Sequence, residues 1–576
     1  MAKAAEQATQ HGLLCVWGRF AQEIGLISGI EAVPLAQKTY DHSPQAKVLE
    51  NLVAILTGAK HLQDISLSAH PLDKDLALAQ AWGQSGWADY SGVSRTLRGL
   101  SWIEARAIAA VLEQVSQPFI DQELKLLREQ GQIIREDGDL TGIPVSNTSR
   151  TYPNAAYGHM DDEIRLGYQA GVTSMHSLTY GRLWLSVEHH AGDTVSCTQA
   201  EALILAAEQR TRLWPRRRTE LLKTRIEAYQ QARQPTEQRY ESQKATLEKA
   251  QAALQETQNQ LANAQATPDT RPQRITSLER RCVRRAKAMG AAQDRLTKTL
   301  RLLQTHLQEE QELQARLKRF EQENADNPNP VEVRFRIDAG FGTYDNIALL
   351  IEMGYELYTK LHNHKAVQAL QKMLAPDTAW TKVGKNAEMV SWSDLKLDRC
   401  PYPLQVALER FHVGDNKIKH SALAYFGNAP VTQDLPAWFT TYNGRQTIEA
   451  GIKETKQVFH LHRLKVRSEP AIFLQEAMTI FAANFIRWAT VWIARNAQPE
   501  PTQLPIQTMG IKRQVQVAAH ASANVIQTAE GMGLRFSPAS SLAGKSLHFR
   551  AVQSPVRSTR FLPFFTILDL IVQKLR

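Results

Sequence analysis

One short stretch of the chain combines four polar side-chain types at helical spacing. They are Tyr442, Arg445, Glu449 and Lys456, with offsets of 3, 7 and 14 residues from the first. On a helix of about 3.6 residues per turn, these offsets fall on one face. A carboxylate between cations covers a core poorly, but it suits holding a divalent metal ion beside nucleic-acid phosphates. The spacing therefore predicts one helix with a phosphate-directed face.

Two structural alternatives accompany this pattern. The stretch is also compatible with an amphipathic surface helix stabilised by an i,i+4 ion pair between Arg445 and Glu449. The Asn443-Gly444 pair is a capping signal. If it ends one helix or begins another, Tyr442 no longer shares the face of the other three.

An earlier segment ends a strand-like alternation on an aspartate. Residues 331–338 read Val-Glu-Val-Arg-Phe-Arg-Ile-Asp, with apolar and polar residues alternating, and Ala339-Gly340-Phe341-Gly342 ends the pattern. A short helix over 346–353 and a strand over 355–361 are predicted next. Asp338 is therefore a candidate site residue at a strand end, although an aspartate there is also typical of a turn or helix cap.

A second strand-like run holds two candidate aspartates. Residues 132–142 contain Asp137 and Asp139, followed by Thr141. Strand geometry does not choose between them, because alternate residues of a strand point the same way. Both remain candidates from the residues alone.

These segments resemble the DDE transposases of bacterial insertion sequences, specifically the insertion-sequence-four group. The Tyr-x2-Arg-x3-Glu-x6-Lys signature resembles that family, as does Arg-Ile-Asp-Ala-Gly-Phe-Gly followed by a helix and a Gly-Tyr strand. The resemblance covers about residues 130–215 and 327–495. It implies an α/β fold with a ribonuclease-H-like mixed sheet core. The family usually places Thr or Ser two residues after its first aspartate, which favours Asp139 over Asp137.

The resemblance also implies a reaction and a site. Asp139, Asp338 and Glu449 would be the catalytic carboxylates and would hold two ions of Mg²⁺ or Mn²⁺. Tyr442, Arg445 and Lys456 would contact DNA, with Lys453 beside them. The implied reaction is cut-and-paste transposition by metal-dependent DNA cleavage and strand transfer. The implied partners are double-stranded DNA, as terminal inverted repeats and target, and a second copy of the chain in the DNA complex.

Bulk properties agree with a basic, globular, intracellular protein. The chain has 576 residues, 43% of them hydrophobic, a formal charge of +10 and a pI near 9.3, which suits a polyanionic partner. Its four cysteines are far apart with no Cys-x2-Cys pair, so neither a zinc site nor a disulfide framework is expected. Polar residues interrupt the apolar stretch 473–494, which predicts a core helix rather than a membrane span. A bacterial cytoplasmic location, on the nucleoid when bound to DNA, is expected.

Composition shifts divide the chain into seven predicted segments. They are a helical DNA-end-binding domain (1–125), three parts of the sheet core (126–215, 327–365 and 433–500, the last with the glutamate helix), an antiparallel coiled-coil hairpin (216–326), a β-rich insertion (366–432) and a C-terminal segment (501–576). Residues 91–98 resemble the second half of a helix-turn-helix, with Ser94, Arg95 and Arg98 available for DNA. A capped helix packing into a small bundle fits equally well.

Both insertions lack an assigned role. Tyr240, Leu247, Leu254 and Leu261 recur at intervals of seven residues, and a second leucine series begins at Leu296. This predicts two helical arms of about 45–50 residues. Dimerisation and DNA clamping are both reasonable roles for this hairpin. In the β-rich insertion, Trp380 and Trp392 are candidates for stacking on a displaced base, or are sheet-face residues.

Two other functions remain open from the sequence. One is a catalytically inactive or repurposed transposase-derived DNA-binding protein that keeps the fold. The other is a helical scaffold in which the long hairpin is the main functional part. Neither would show metal-dependent cleavage.

Overall fold

A computed structural model gives the fold as α/β with a mixed sheet. It describes residues 5–38, 41–148, 150–160, 163–397, 399–414, 417–463, 466–497, 506, 508–528, 531–540, 542–543 and 545–550. The described residues form two compact units. The first lies within Met1–Trp214, Val331–Leu350 and Tyr355–Arg576, and the second within Pro215–Pro330 and Ile351–Gly354.

The N-terminal region is one strand followed by helices. They are β1 (Ala5–Thr9), α1 (Gly12–Glu23), α2 (Leu26–Glu31), α3 (Pro44–Leu56), α4 (Asp64–Leu67), α5 (Leu76–Ala81), α6 (Tyr90–Arg98) and α7 (Trp102–Glu129). Helix α7 begins at a capping box, in which the Ser101 hydroxyl accepts from the Glu104 N–H and the Glu104 carboxylate accepts from the Ser101 N–H. The region predicted as helical over residues 1–125 is mostly helical, but it also contains β1, and α7 continues to Glu129.

The predicted DNA-facing helix at 91–98 is α6. Asp89 caps it by accepting a hydrogen bond of 2.7 Å from the Gly92 N–H. Val93 and Leu97 are buried, whereas Arg95 and Arg98 are exposed. The helix therefore packs on one side and presents cations on the other, which is compatible with both interpretations of this segment.

A buried glutamate in the N-terminal helices gives the protein a pH-dependent stability. The carboxyl of Glu50 on α3 is fully buried, and its Oε2 accepts a 2.9 Å hydrogen bond from the Ala88 N–H. Its Oε1 has no hydrogen-bond partner among the described residues. Burial raises the pKa of Glu50 to about 9. The stability that the protonated form contributes is complete below a glutamate's ordinary pKa and is lost as pH rises through about 9.

Replacing Glu50 with glutamine should remove this pH dependence. Each unit of raised pKa is worth about 1.4 kcal/mol, so Glu50→Gln should exceed the wild type in unfolding free energy by a few kcal/mol at pH 9 and by little at pH 5. Urea unfolding across this pH range measures the difference. The exposed Glu332 supplies the control Glu332→Gln, whose profile should run parallel to the wild type. The prediction would be contradicted if the unfolding free energy of Glu50→Gln also ran parallel to that of the wild type across this pH range.

The first part of the large sheet follows α7. Its elements are β2 (Ile134–Pro144), β3 (Ala156–Met160), β4 (Glu163–Ser177), β5 (Gly181–Ala191) and the helix α8 (Ala200–Thr211). Strand β4 pairs antiparallel with β2, β3 and β5. β2 is buried along most of its length, as expected for a strand covered on both faces.

The second unit is the helical hairpin. It consists of α9 (Thr219–Ala266) and α10 (Pro272–Asp326), of 48 and 55 residues. The helices run antiparallel, since Arg233 pairs with Glu310 near the base and Arg285 bonds Thr257 nearer the tip. The seam is thin, as predicted: threonines such as Thr257 are buried in it, and Leu307 of the predicted leucine series is 38% exposed.

The sheet resumes after the hairpin. Its elements are β6 (Val333–Arg336), α11 (Tyr344–Glu352), β7 (Glu356–Lys360), α12 (His364–Lys372), β8 (Thr381–Lys382), β9 (Ala387–Leu395), β10 (Leu404–Val413) and β11 (Lys417–Phe426). The predicted helix and strand after Asp338 are confirmed as α11 and β7. The strands of the β-rich insertion do not form a separate sheet, because β11 pairs with β7 and extends the core sheet.

The sheet is mixed in direction. The strand order is β3-β4-β2-β6-β7-β11-β10-β9-β8, with β5 also paired to β4. Strands β2, β6 and β7 are mutually parallel, and the other pairs are antiparallel. The parallel pairing runs from Ile134 opposite Val333 to Asp137 opposite Arg336, so the C-terminal end of β6 lies beside the middle of β2.

The last elements complete the first unit. They are α13 (Leu435–Asn443), α14 (Gln446–Gln457), α15 (Glu469–Asn496), α16 (Ile511–Arg513), β12 (Ala523–Thr528), β13 (Gly531–Phe536) and β14 (Ser546–Arg550). Strand β12 pairs with β1 in a four-stranded sheet of order β1-β12-β13-β14. The predicted first and last segments therefore share one sheet and are not separate domains. Residues 551–576 of the predicted C-terminal segment lie outside the described residues.

Helix α15 is long and apolar enough to cross a membrane by length and composition, and 67% of its most apolar window is buried inside the protein. Its buried polar residues and Arg487 have partners within the protein. Glu476 bonds His189 at 2.9 Å, Asn484 bonds both backbone groups of Trp184 at 2.9 Å, and Arg487 bonds Glu454 at 2.9 Å. A core helix accounts for these residues, since a buried polar group needs a partner.

Candidate active site

Asp139 lies near the middle of β2, at the centre of the candidate site. Its side chain is buried, and Oδ1 accepts a 2.9 Å hydrogen bond from the Leu140 N–H. Oδ2 accepts a 2.9 Å hydrogen bond from Nη2 of Arg445. The strand therefore presents this carboxylate toward the segment that precedes α14.

Asp338 lies beside Asp139 because of the strand register. Arg336 at the end of β6 pairs with Asp137 in the parallel ladder, so two residues further along, Asp338 comes next to Asp139. Its Oδ2 is 3.8 Å from Nη2 of Arg445, and Oδ1 accepts from the Phe341 N–H at 3.3 Å. The loop that follows needs glycine at 342, because a Cβ there would collide with the backbone carbonyl of Lys360.

Glu449 reaches the same place from α14. It lies in the first turn of that helix, where a negative charge is favoured by the helix dipole. Its Oε1 accepts a hydrogen bond from Nη1 of Arg445, the residue just before the helix. The Glu449 side chain is 57% exposed and that of Asp338 is 36% exposed. The site therefore opens to solvent on the side of these two carboxylates.

Three carboxylates from three distant parts of the chain thus surround one guanidinium. Burial raises the pKa of Asp139 to about 7, with Arg445 opposing the shift and the charge of Asp338 adding to it. Burial alone would lower the pKa of Arg445, but the surrounding carboxylates, Asp139 first, leave it above its ordinary value. The Arg445 charge therefore offsets the repulsion between the carboxylates.

Asp137 has a different environment from Asp139. Its two oxygens accept hydrogen bonds of 2.7 and 2.8 Å from Nε and Nη2 of Arg336, and both side chains are buried. Nη1 of Arg336 bonds the Thr441 carbonyl at 2.9 Å. This bidentate pair is occupied in joining β2, β6 and α13. Of the two aspartates that the sequence left open, Asp139 is the one grouped with Asp338 and Glu449.

The two aspartates should therefore differ in what they contribute to stability. Asp137→Ala leaves the buried Arg336 charge unpaired and should cost about 3–5 kcal/mol of unfolding free energy. Asp139→Asn should change stability by only about 1 kcal/mol, since near neutral pH its carboxyl is protonated in a large fraction of molecules. Urea unfolding of both variants tests this contrast. A larger loss for Asp139→Asn than for Asp137→Ala would contradict the assignment.

Tyr442 does not lie on the helix of Glu449. Helix α13 ends at Asn443 and α14 begins at Gln446, so the prediction of one helix through all four residues was wrong. The break occurs at Gly444, where a Cβ would collide with the guanidinium of Arg336. The Tyr442 side chain instead packs into a buried cluster and is 6% exposed. This is the outcome that the Asn443-Gly444 capping signal allowed.

The predicted lysines both lie on α14. Lys453 is exposed and Lys456 is partly buried. Lys456 follows Glu449 by seven residues, which places both on one side of the helix. Of the predicted helix face, the part from Arg445 to Lys456 is therefore formed by α14 and the residue before it.

Sequence reasoning missed two cations next to the site. Arg336, described above, fixes Asp137 and the end of α13. Lys360, at the end of β7, pairs with the buried Glu409 at 3.1 Å and lies 5.5 Å from the ring centroid of Tyr442. Strand alternation in 355–361 placed Lys360 at a strand end, but its partner is 49 residues away. No local signal in the sequence pairs the two.

The donor set matches a hard divalent cation in chemistry, since all three side chains offer carboxylate oxygens. In the described residues, however, no group of three or more His, Cys, Asp or Glu side chains is placed to hold a metal ion as it stands. Arg445 accounts for this, because its guanidinium takes the central position. Metal ligation by these residues requires Arg445 to turn away.

The candidate tryptophans of the β-rich insertion are partly buried. The Arg410 guanidinium lies over the Trp380 ring at 4.0 Å, so one face of this ring is already covered. Trp392 lies on β9, paired with Val406. A stacking role for either residue remains a prediction.

Neither the family models nor the curated proteins compared with this chain gave a match.

Proposed function

We propose that this protein is a DDE-type DNA transposase, which cleaves DNA in a metal-dependent reaction and joins the freed end to a target. The observation that carries the proposal is the convergence of Asp139, Asp338 and Glu449 on one guanidinium. These residues are 199 and 111 positions apart in the chain, and their grouping at one sheet edge is not explained by local structure. Clusters of like charges at a partly open edge are typical of functional sites.

The sheet topology supports the same proposal. Within the large sheet, five strands lie in the order β5-β4-β2-β6-β7, with β2, β6 and β7 parallel, β4 antiparallel to β2, and β5 antiparallel to β4. This is the order and direction expected of a ribonuclease-H-like core. In such a core the first and fourth strands carry the two aspartates. Here β2 carries Asp139, and Asp338 follows β6.

The chain's own residues have distinct parts in the proposed reaction. Asp139, Asp338 and Glu449 would hold two ions of Mg²⁺ or Mn²⁺, which when bound supply the charge that activates water and stabilises the leaving oxygen. Arg445, released from the carboxylates, would neutralise a DNA phosphate, together with Lys453 and Lys456. Tyr442, whose ring is buried, would position the start of α14 and would reach DNA only by leaving its cluster.

The wider proposal concerns partners and location. The DNA substrates are the terminal inverted repeats and the target, and a homodimer on DNA would bring two ends together. The exposed Arg95 and Arg98 of α6 are candidates for binding the repeats. The cytoplasm is the proposed location.

A cleavage assay tests the proposal directly. The full chain is incubated with duplex DNA from the regions flanking its gene, in Mg²⁺, Mn²⁺, Ca²⁺ or EDTA. The expected result is cleavage in Mg²⁺ or Mn²⁺ that leaves a 3′ hydroxyl, with none in EDTA. DNA binding without cleavage in any metal would contradict the enzymatic proposal.

A second candidate function has one specific observation in its favour. Arg445 already neutralises the three carboxylates, as a permanent ion cluster would in a repurposed DNA-binding protein. That protein would bind DNA equally well with and without divalent metal. The affinity for metal in the absence of DNA separates the two candidates.

A further inference from the structure

The outer half of the hairpin carries a line of exposed cations on α10. They are Arg280, Arg284, Lys287, Arg295 and Lys298. Their offsets from the first are 4, 7, 15 and 18 residues, which fall within about 80° of arc at about 100° per residue. The line is about 27 Å long at about 1.5 Å per residue. We refer to these five residues as the α10 stripe.

The α10 stripe differs from the rest of the hairpin in how its charges are balanced. Near the base, cations have acidic partners on the same helix: Arg233 pairs with Glu237 at 3.1 Å and Arg319 with Glu323 at 3.4 Å. Within the described part of the chain, no residue of the stripe forms an ion pair. Arg285, on α10 next to the stripe, also has an acidic partner, Glu256 at 4.0 Å. The five stripe residues therefore differ from the paired cations of the hairpin in lacking such a partner.

The stripe also places like charges next to each other. Arg280 and Arg284 are four residues apart, and Arg284 and Lys287 are three apart. Such like-charged neighbours destabilise a helix by about 0.2–0.5 kcal/mol each. These neighbouring like charges do not stabilise the hairpin. They would favour the binding of a polyanion along the helix.

We propose that the α10 stripe binds the phosphate backbone of double-stranded DNA. A straight line of about 27 Å spans about eight phosphates of one strand, at one per 3.4 Å of the DNA axis. Between its cations the same arc holds the small residue Ala291, so it lacks the large apolar side chains that insert into a membrane surface. The choice of duplex DNA among polyanions rests on the proposed function, while the surface itself rests on the charges alone.

The contact would be independent of DNA sequence and of the carboxylate site. Cations that meet phosphates position a protein on DNA without reading bases. On the same side of α10 toward the base, the charge becomes negative at Glu309, so the DNA contact would be confined to the outer half.

The test compares two triple variants of the full chain. Arg280→Gln, Arg284→Gln and Lys287→Gln together remove three charges from the stripe, and glutamine retains helix propensity. The matched control is Arg239→Gln, Lys244→Gln and Lys249→Gln, which removes three exposed cations spread around α9. Affinity for an arbitrary duplex is measured in EDTA over a range of salt concentrations.

The stripe variant should bind about 10–100-fold more weakly at low salt, and its slope of log affinity against log salt should fall by about three. The control should keep most of the wild-type slope. Equal slopes in the two variants would overturn the proposal. It would also be overturned if the stripe variant lost only self-association, measured by light scattering, or only binding to anionic lipid vesicles.

The test also separates this inference from the proposed function. Binding in EDTA requires no cleavage, so it measures the contribution of the stripe apart from the proposed reaction. If the stripe variant loses affinity while the wild type never cleaves DNA, the proposed function fails and the stripe assignment stands. If the wild type cleaves DNA and the two triple variants bind DNA alike, the proposed function stands and the stripe assignment fails.

Discussion

Asp338→Asn should reduce metal-dependent DNA cleavage by at least about 10³-fold, because ligation of a catalytic ion contributes several kcal/mol of transition-state stabilisation. The substitution removes one negative charge but little packing, since the side chain is 36% exposed. Its Oδ1 contact with the Phe341 N–H is one that an asparagine oxygen also makes. The folded state should therefore be preserved, as measured by urea unfolding.

The control for this variant lies a few residues further along. Asp345 is an exposed aspartate in the first turn of α11, outside the carboxylate cluster. Asp345→Asn should cleave DNA within about threefold of the wild type, as expected for a surface substitution. Equal cleavage by Asp338→Asn and Asp345→Asn would remove Asp338 from the catalytic site.

Arg445→Gln should bind Mn²⁺ about 10–100-fold more tightly than the wild type in the absence of DNA, a gain of about 1.4–2.7 kcal/mol. The guanidinium satisfies Asp139, Asp338 and Glu449 at once, so a metal ion must displace it. Without that competitor, the carboxylates repel one another until a cation binds. The same variant should cleave DNA more slowly, because it removes the cation proposed to contact a DNA phosphate.

Isothermal titration at pH 8.5 measures this difference. The pH matters because removing Arg445, whose charge lowers the pKa of Asp139, lets protons compete with the metal nearer neutrality. Lys453→Gln is the control, since it removes one exposed cation from the same helix without touching the carboxylates. Tighter Mn²⁺ binding with slower cleavage is the expected signature. Unchanged or weaker Mn²⁺ binding by Arg445→Gln would show that the guanidinium does not compete with the ion.

These two variants address different links between structure and function. Asp338→Asn asks whether the carboxylate cluster is catalytic. Arg445→Gln asks whether its central cation occupies the place of a metal ion, and it has a readout that needs no catalysis. A permanent ion cluster in a non-catalytic protein would give no cleavage in either variant and no gain in Mn²⁺ affinity.

Local patterns in the chain predicted many of the elements that build the site. Alternation through 331–338 and the glycines after it predicted the strand that became β6 and the turn that follows Asp338. The leucine series predicted two long helices, found as α9 and α10. These features depend on neighbours within a few residues, so their periodicity is visible in the sequence.

Pairing between distant segments was not visible. Strand β1 pairs with β12, more than 500 residues later, and the β-rich insertion continues the core sheet through β11 and β7. Such contacts depend on backbone hydrogen bonds, which carry little side-chain signature. The seven predicted segments therefore belong to two compact units.

The sequence by itself determined the residue types of the site, the spacing of Glu449, Lys453 and Lys456 on α14, and the strand-like segments that carry the aspartates. Strand geometry left Asp137 and Asp139 equal and the family resemblance favoured Asp139. The tertiary structure places Asp139 with Asp338 and Glu449, while Arg336 binds Asp137 from the neighbouring strand. It also decided that Tyr442 is buried, because α13 ends before α14 begins and the Tyr442 ring packs into a hydrophobic cluster. Both outcomes depend on partners far away in the chain, such as Arg336 for Asp137 at a separation of 199 residues, and local geometry does not encode such contacts.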